Sequence, residues 1–165
     1  MKPIKIGIAG MGTVASGVVK VLERNQAEIT RRAGRGIEVA VVCERTPGRA
    51  AHLEERGVEV INDLSQLASH PDVDIVVELI GGYEPARSFV LEAIANGKHV
   101  VTANKALLAE HGNEIFQAAQ DKGVTVAFEA AVAGGIPVIK ALREGLSANR
   151  IEWIAGIING TSNFI

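Results

Sequence analysis

A glycine turn directly after the first predicted strand constrains the fold of this chain more than any other feature. The apolar strand 4–9 leads into Gly10-Met11-Gly12-Thr13-Val14-Ala15, and residues 14–32 have the pattern of a helix. In such a unit the first glycine permits the tight turn and the second lets the backbone approach a pyrophosphate, while a small third residue allows close helix–strand packing. The helix N-terminus then offers free N–H groups and a favourable dipole to the anion. The turn therefore predicts the phosphate-binding corner of a dinucleotide-binding domain, with a plain turn as the alternative for the glycines alone.

Strand-like and helix-like segments alternate along most of the chain. Further strands are predicted at 37–43, 58–61, 73–79, 99–102 and 124–129. Helices are predicted at 47–56, with Thr46 as the N-cap, and at 64–69, 84–95 and 106–121. Short continuous apolar strands separated by helices indicate a parallel sheet covered on both faces. With right-handed crossovers, the expected fold is α/β with a doubly wound, Rossmann-type parallel sheet.

The last quarter of the chain does not continue this alternation of strands and helices. A helix is predicted from Gly134 to about residue 146, followed by a long strand at 150–158 and the turn Asn159-Gly160-Thr161-Ser162-Asn163. A strand and a turn in this place predict the start of a second domain. We therefore divide the chain into a dinucleotide-binding domain over residues 1–148 and the beginning of a second, truncated domain over residues 149–165.

Composition and charge exclude several classes of function. A length of 165 residues suits one domain with a proper core, and a net charge of −2 gives no electrostatic case for binding nucleic acid or an anionic membrane. The single cysteine, Cys43, excludes an internal disulfide framework and a multi-cysteine metal site. No apolar run approaches the roughly 20 residues that span a bilayer, and because Met1-Lys2-Pro3 leads straight into a strand, no signal peptide is expected. A cytoplasmic protein is the simplest expectation.

Charged residues after the second strand bear on the choice of cofactor. An acidic residue there binds the ribose 2′-hydroxyl of NAD, whereas arginine accommodates the 2′-phosphate of NADP. This chain has Glu44, which argues for NAD, but also Arg45 and Arg49, which argue for NADP. All three are also compatible with solvated loop charges, so the sequence leaves the choice between NAD and NADP open.

Polar and glycine residues follow the fourth and fifth strands, whose carboxyl ends face the ligand in a doubly wound sheet. Gly81 and Gly82 follow the fourth strand, where they allow a close approach of cofactor or form a flexible turn. Thr102, Ala103 and Asn104 end the fifth strand, and Lys105 follows them. A lysine there is suited to stabilise negative charge on a carbonyl or alkoxide oxygen during hydride transfer, although a surface lysine at a helix start is the commoner case.

Five segments together resemble homoserine dehydrogenase: Gly-Met-Gly-Thr-Val-Ala-Ser-Gly-Val-Val (10–19), Val-Glu-Leu-Ile-Gly-Gly (77–82), Val-Thr-Ala-Asn-Lys (101–105), Phe-Glu-Ala-Ala-Val-Ala-Gly-Gly-Ile-Pro (128–137) and Ile-Ile-Asn-Gly-Thr-Ser-Asn-Phe-Ile (157–165). They cover the whole chain in order, and the last two are much more specific than the glycine turn. The resemblance implies oxidation of L-homoserine to L-aspartate-4-semialdehyde, or the reverse, with NAD or NADP. That reaction supplies threonine, methionine and isoleucine.

The resemblance also implies roles for individual residues. Those expected to hold the pyrophosphate are Gly10, Gly12, Thr13 and Val14. Those expected along the ribose and nicotinamide are Gly81, Thr102, Ala103 and Asn104, with Lys105 near the nicotinamide and the substrate as the catalytic residue. The family also binds a monovalent cation, usually sodium, through main-chain carbonyls that correspond to Glu129, Val132, Gly134 and Ile136.

Two departures from the family pattern limit what the chain is expected to do. Ala15 stands where the family usually has glycine, a change that the fingerprint tolerates. The family's substrate-binding acids and its proton-transferring lysine come after the Asn-Gly-Thr-Ser-Asn segment, so this chain alone is expected to bind cofactor without turning over homoserine. The complete protein is expected to be a homodimer, with no fused aspartokinase before Met1. Two alternatives stay open: another NAD(P)-dependent amino- or hydroxy-acid dehydrogenase, and a non-catalytic dinucleotide-sensing module.

Overall fold

A six-stranded, fully parallel sheet forms the centre of the molecule. The computed structural model describes residues 1–156. The strands lie in the order β3-β2-β1-β4-β5-β6 and pair in parallel throughout. Their bounds are β1 Ile4–Ala9, β2 Ile37–Cys43, β3 Glu59–Ile61, β4 Ile75–Glu78, β5 His99–Thr102 and β6 Val126–Ala127. The predicted doubly wound α/β fold is confirmed.

Helices cover both faces of this sheet. They are α1 Thr13–Arg24, α2 Gln26–Ala33, α3 Ala51–Glu54, α4 Leu64–Ser69, α5 Ala86–Ala95, α6 Lys105–Lys122 and α7 Val138–Lys140. A 3₁₀ turn at Glu129–Ala131 follows β6, and a single wide helical turn at Ala141–Gly145 follows α7. Within the described residues, no helix is both long enough and apolar enough to cross a membrane.

The core consists of two layers, one on each face of the sheet. On one face α4, α5 and α6 bury Leu67, Phe89 and Ile115 against the strands. On the other face α1 and α3 bury Ala15 and Leu53 against β1 and β2. Apolar residues on both faces of the central strands explain why their sequences are continuously hydrophobic.

Two of the predicted helices are wrong in extent. The helix predicted over 14–32 is divided at Asn25, whose backbone leaves the helical region before α2 begins; asparagine favours such breaks because its side chain competes for backbone hydrogen bonds. The helix predicted over 47–56 is reduced to α3, and Ala50, not Thr46, precedes its first residue. Gly48 has φ +77°, which is incompatible with a continuous helix, and the Thr46 N–H donates to the Glu44 side chain instead.

The region after β6 also differs from the prediction. The helix expected from Gly134 to residue 146 begins only at Val138, as α7, and continues into the wide turn that ends at Gly145; Ala133 and Gly134 both adopt positive φ, at 55° and 60°, which prevents an earlier start. Residues 151–156, inside the predicted strand 150–158, are not in a strand. An extended segment without a neighbouring strand forms no ladder of hydrogen bonds. The end of that predicted strand and the Asn-Gly-Thr-Ser-Asn turn lie outside the described residues.

Candidate functional site

A cleft opens at the carboxyl edge of the sheet between β1 and β4. The chain proceeds from β1 to β2 and β3 on one side, then crosses to β4, β5 and β6 on the other. Such a reversal leaves the loops after the two central strands diverging, which is where doubly wound sheets bind ligands. Leu79 N–H donates to the Ala9 carbonyl at 3.1 Å, so the two loops separate only just beyond the paired strands.

The two glycines of the turn differ in what their missing side chains allow. Gly10 has φ +87°, and a Cβ on it would lie 3.2 Å from the Leu79 carbonyl oxygen. The tight turn and the close approach of the β4 loop therefore both need glycine at this position. Gly12 has an ordinary φ of −79°, and a Cβ on it would meet no described atom within 4 Å. The protein's own packing does not require Gly12, so the space beside it is free for a ligand.

The first turn of α1 faces this space. Gly12 is its N-cap, and no described side chain caps this end of the helix. Thr13 and Val14 form the first turn, and both are exposed, although Val14 is apolar. Uncapped N–H groups at the start of a twelve-residue helix offer hydrogen bonds and a positive dipole end to an anion.

Glu44, at the end of β2, connects the glycine turn to the next loop. Its side chain is only 8% exposed. One carboxylate oxygen accepts the Met11 N–H at 2.8 Å, and the other accepts the Thr46 N–H at 2.7 Å. Burial alone disfavours the charged form, but the hydrogen bonds from Thr46 and Met11, together with Arg49 at 3.7 Å, lower the pKa of Glu44 below its ordinary value. Glu44 is therefore an ionised group that holds the turn in place.

A cavity of about 260 Å³ lies beside Glu44. Its lining residues come from the glycine turn, the loop after β2, the start of α4 and the loop after β4: Gly10, Met11, Gly12, Cys43, Glu44, Arg45, Thr46, Arg49, Leu64, Leu79, Ile80 and Pro85. Arg45 and Arg49, both exposed, line this cavity together with apolar residues such as Leu64 and Leu79. The predicted residues Gly10, Gly12, Glu44 and Arg45 are thus brought together around one space.

On the other side of the cleft, a buried hydrogen-bond network joins the loops after β4 and β5. Glu78 and Thr102 are register partners in the sheet and both are 0% exposed. The Thr102 hydroxyl donates to the Glu78 carboxylate at 2.6 Å and accepts the Asn104 N–H at 3.0 Å. Asn104, 7% exposed, donates its side-chain amide to the Gly82 carbonyl at 2.7 Å. The buried side chains of Thr102 and Asn104 therefore hold the loops after β4 and β5 together.

Lys105 stands at the first position of α6, immediately after this network. Asn104 caps the helix by accepting the Leu107 N–H at 3.1 Å, which fixes where α6 begins. The Lys105 side chain is exposed and pairs with no acidic side chain among residues 1–156. Its charge is consequently free to interact with a bound molecule.

The loop expected to bind a cation lies beyond β6. Glu129 begins the 3₁₀ turn, and its side chain accepts the N–H groups of Ile139 and Lys140, each at 2.9 Å. This closes the loop that contains Val132, Gly134 and Ile136. The Glu129 and Ile136 carbonyls also accept N–H groups, from Val132 at 3.2 Å and Val138 at 2.8 Å. Among residues 1–156 no group of three His, Cys, Asp or Glu side chains is arranged to hold a metal.

Sequence reasoning missed Glu78 as a residue of the site. The signal was present, because a glutamate ends an otherwise apolar buried strand, Ile75–Glu78. A charged residue in such a place is costly to bury unless it is fully hydrogen-bonded. Its partners come from two separate loops, however, and one of them, Thr102, is 24 residues away. The four residues Gly81, Thr102, Ala103 and Asn104 were predicted to face the cofactor, and the network holds three of them, Gly81, Thr102 and Asn104.

The parallel sheet, the glycine turn and the cleft at the strand reversal define an NAD(P)-binding domain of the Rossmann class. Comparison with known proteins specifies the class further. The family described as homoserine dehydrogenase, NAD binding domain, matches residues 10–129, and the family described as homoserine dehydrogenase matches residues 137–165. The chain belongs to the homoserine dehydrogenase NAD-binding domain family.

Individual relatives agree with this assignment. A homoserine dehydrogenase of Pseudomonas aeruginosa is 64% identical over the whole chain, and one of Neisseria gonorrhoeae is 56% identical. A crystal structure of a homoserine dehydrogenase from Thiobacillus denitrificans superposes with a TM-score of 0.89 at 63% identity, covering 99% of this chain and 38% of that one. The chain likewise spans 38% of the length of the two curated relatives.

Proposed function

We propose that this chain is the cofactor-binding part of a homoserine dehydrogenase. The complete enzyme would transfer a hydride between NAD(P) and L-homoserine or L-aspartate-4-semialdehyde, in the biosynthesis of threonine, methionine and isoleucine. The observation that carries the proposal is the cleft beside Gly12: it is open, lies at an uncapped helix N-terminus, and belongs to a chain of this family. The residues following 148 would then begin the substrate and dimerisation domain of a homodimer.

The cleft divides into two halves with different tasks. In the first half, Gly10, Gly12, Thr13 and Val14 would hold the pyrophosphate through main-chain N–H groups, which need no side chain at Gly12. In the second half, Gly81, Thr102, Ala103 and Asn104 would line the ribose and nicotinamide, and the side chains of Thr102 and Asn104 are engaged in the network that holds this half together. When bound, the nicotinamide supplies or accepts the hydride.

Of the two cofactors we propose NADP as the preferred one. Both oxygens of Glu44 already accept backbone N–H groups, and Arg49 partly offsets its charge. Arg45 and Arg49 are exposed beside the same cavity and are suited to a 2′-phosphate, which arginine binds with paired N–H donors. Glu44 retains unused lone pairs, so binding of NAD through its ribose hydroxyl is the weaker competing mode.

Lys105 is the residue to which we assign a catalytic role. Lys105 begins α6 directly after the Thr102–Asn104 segment, so its ammonium group, which pairs with no acidic side chain among residues 1–156, would reach the nicotinamide half of the cleft. There it would stabilise the negative charge on the substrate oxygen as hydride moves to or from the carbon that carries it. Such a contribution strengthens in the transition state, so its loss lowers kcat more than it raises KM.

For the loop after β6 we propose a monovalent cation, sodium, held by the main-chain carbonyls of Glu129, Val132, Gly134 and Ile136. Carbonyl oxygens on a tight glycine-containing loop suit a hard cation, and each has two lone pairs, so the N–H contacts to Glu129 and Ile136 leave room for a ligand. Replacing sodium by choline at constant ionic strength is expected to lower activity; an unchanged rate would contradict the cation site.

The proposed reaction is tested with protein expressed from the complete reading frame that encodes this chain. L-homoserine-dependent reduction of NAD and of NADP is measured for wild type, Lys105→Ala and the control Lys122→Ala, which removes an exposed lysine from the last turn of the same helix. We expect homoserine-specific turnover, a loss of roughly 100-fold in Lys105→Ala and no loss in the control. Tight cofactor binding without turnover of homoserine would contradict the proposed reaction and would favour another dehydrogenase or a dinucleotide sensor.

A further inference from the structure

Glu78 is the buried charged residue of the cleft that the proposed reaction does not use. Its carboxylate is 0% exposed and receives three hydrogen bonds, from the Ile80 N–H at 2.8 Å, the Gly81 N–H at 3.0 Å and the Thr102 hydroxyl at 2.6 Å. The first two come from the loop after β4 and the third from the end of β5. The Glu78 side chain therefore hydrogen-bonds to both segments that form the nicotinamide half of the cleft.

Packing of the apolar core does not account for a carboxylate at this place. The preceding strand residues are apolar, and Val76 on the same face packs into the core. A buried charge is expensive to desolvate, and an apolar residue of similar size often serves stability equally well. An apolar residue at position 78, however, would leave the N–H groups of Ile80 and Gly81 without their acceptor, and the β4 loop would lose its shape.

The network continues from Glu78 to the start of α6. The Thr102 hydroxyl accepts the Asn104 N–H. The Asn104 side chain donates to the Gly82 carbonyl in the loop after β4, and it also caps α6. Lys105 is the next residue. The position of the lysine relative to Gly81 is thus fixed by a continuous series of hydrogen bonds that begins at Glu78, and no step of the series depends on a flexible exposed side chain.

We propose that Glu78 is a positioning residue that holds the two walls of the nicotinamide half in register and thereby places Lys105; the proposal rests on the proposed function of this cleft. Thr102 relays this effect through its hydroxyl group. Both residues act through others and neither is expected to touch the substrate.

The test separates the hydrogen bond from the packing. In the protein from the complete reading frame, Thr102→Val keeps the shape of the side chain but removes the hydroxyl, whereas Thr102→Ser keeps the hydroxyl. Glu78→Gln keeps one acceptor oxygen and removes the charge. Ile115→Val, a fully buried change on the far part of α6, is the control for lost stability.

We expect kcat for L-homoserine oxidation to fall about tenfold in Glu78→Gln and in Thr102→Val, with a smaller change in KM. Ile115→Val should keep the wild-type kcat, and Thr102→Ser should lose clearly less than Thr102→Val because it retains the hydroxyl group. The double variant Glu78→Gln/Thr102→Val should lose little more than either single variant, because both break the same series of contacts. Wild-type kcat in Thr102→Val, equal losses in Thr102→Val and Thr102→Ser, or fully additive losses would overturn the proposal.

The failure of the proposed function is read separately, from the wild-type protein. If wild type does not oxidise homoserine, the same variants are compared by the fluorescence of bound NADPH, which reports the surroundings of the nicotinamide ring. The Glu78 proposal then predicts an altered signal in Glu78→Gln and Thr102→Val and a native one in Thr102→Ser and Ile115→Val. A native signal in all four variants would refute it.

Discussion

Gly12→Ala tests whether glycine at this position is required for the stability of the fold or for the binding of the cofactor. The added methyl meets no described atom within 4 Å, and the φ of −79° is open to alanine. Replacing glycine by alanine at an N-cap costs up to about 1 kcal/mol. Alanine also reduces the conformational entropy of the unfolded chain, which offsets about 0.4–1 kcal/mol of this loss in stability. The free energy of unfolding should therefore change by less than about 1 kcal/mol, whereas a methyl in the pyrophosphate space should weaken NADP binding by at least about tenfold, or about 1.4 kcal/mol.

Gly10→Ala and Gly17→Ala provide the two comparisons that this prediction needs. At Gly10 the φ of +87° and the Leu79 carbonyl 3.2 Å from the added methyl should cost about 1–3 kcal/mol of stability. Gly17 lies on the exposed side of α1, where an added methyl meets nothing within 4 Å. Alanine there should stabilise the helix by about 0.5–1 kcal/mol and leave NADP binding unchanged.

The assay combines denaturant unfolding of the cofactor-free protein with an NADPH titration followed by fluorescence. The reasoning predicts normal stability with weak binding for Gly12→Ala, low stability for Gly10→Ala, and normal binding for Gly17→Ala. Native NADPH affinity in Gly12→Ala would refute the placement of the pyrophosphate beside this glycine.

Four further predictions concern Glu44, which is the subject of two, the thiol of Cys43 and the core of the domain. Glu44→Gln should raise the affinity for NADP relative to the affinity for NAD, because it removes a negative charge beside the 2′-position. If the ratio of the two dissociation constants is the same in the variant and the wild type, this prediction is contradicted. Since the pKa of Glu44 is lowered on folding, its stabilising effect is complete above the ordinary glutamate pKa of about 4.3 and is lost as pH falls through the folded value. The difference in unfolding free energy between wild type and Glu44→Gln should therefore shrink on acidification below that pH, as urea unfolding at several pH values will show. Burial, together with the nearby carboxylates of Asp63 and Glu44, raises the pKa of the Cys43 thiol to about 11. Iodoacetamide at pH 8 should therefore label Cys43 only after denaturation. Rapid labelling of the native protein would contradict this prediction. Phe89→Ala, in the core between α5 and the sheet, should cost about 3–5 kcal/mol in the same unfolding assay, and a loss below about 1 kcal/mol would show that the site is not packed as described.

Much of the fold could be predicted from local patterns of residues. The bounds of β1, β2, β5 and α4 agree with the sequence prediction, because each is a short apolar run between clear turn residues. The parallel order of the strands followed from the alternation with helices. Local patterns failed where one residue interrupts a favourable run, as Gly48 does with its positive φ and Asn25 does between α1 and α2.

The candidate site was predictable in part. The glycine turn has a local signature, and Gly10 and Gly12 lie at the cleft as expected. The contact of Glu44 with Met11 joins residues 33 apart, and the contact of Glu78 with Thr102 joins residues 24 apart. Contacts of this kind depend on which strands are neighbours and on their register, neither of which a single segment encodes. The sequence therefore indicated which residue types gather at the sheet edge, but not which of them bind one another.

The most direct test of the central claim is a crystal structure of the complete protein with NADPH. We expect the pyrophosphate within hydrogen-bond distance of N–H groups in the Gly12–Val14 segment, the adenosine ribose beside Glu44 and Arg45, and the nicotinamide beside Ala103 and Lys105. A cofactor bound elsewhere, or bound with the nicotinamide turned away from Lys105, would contradict it.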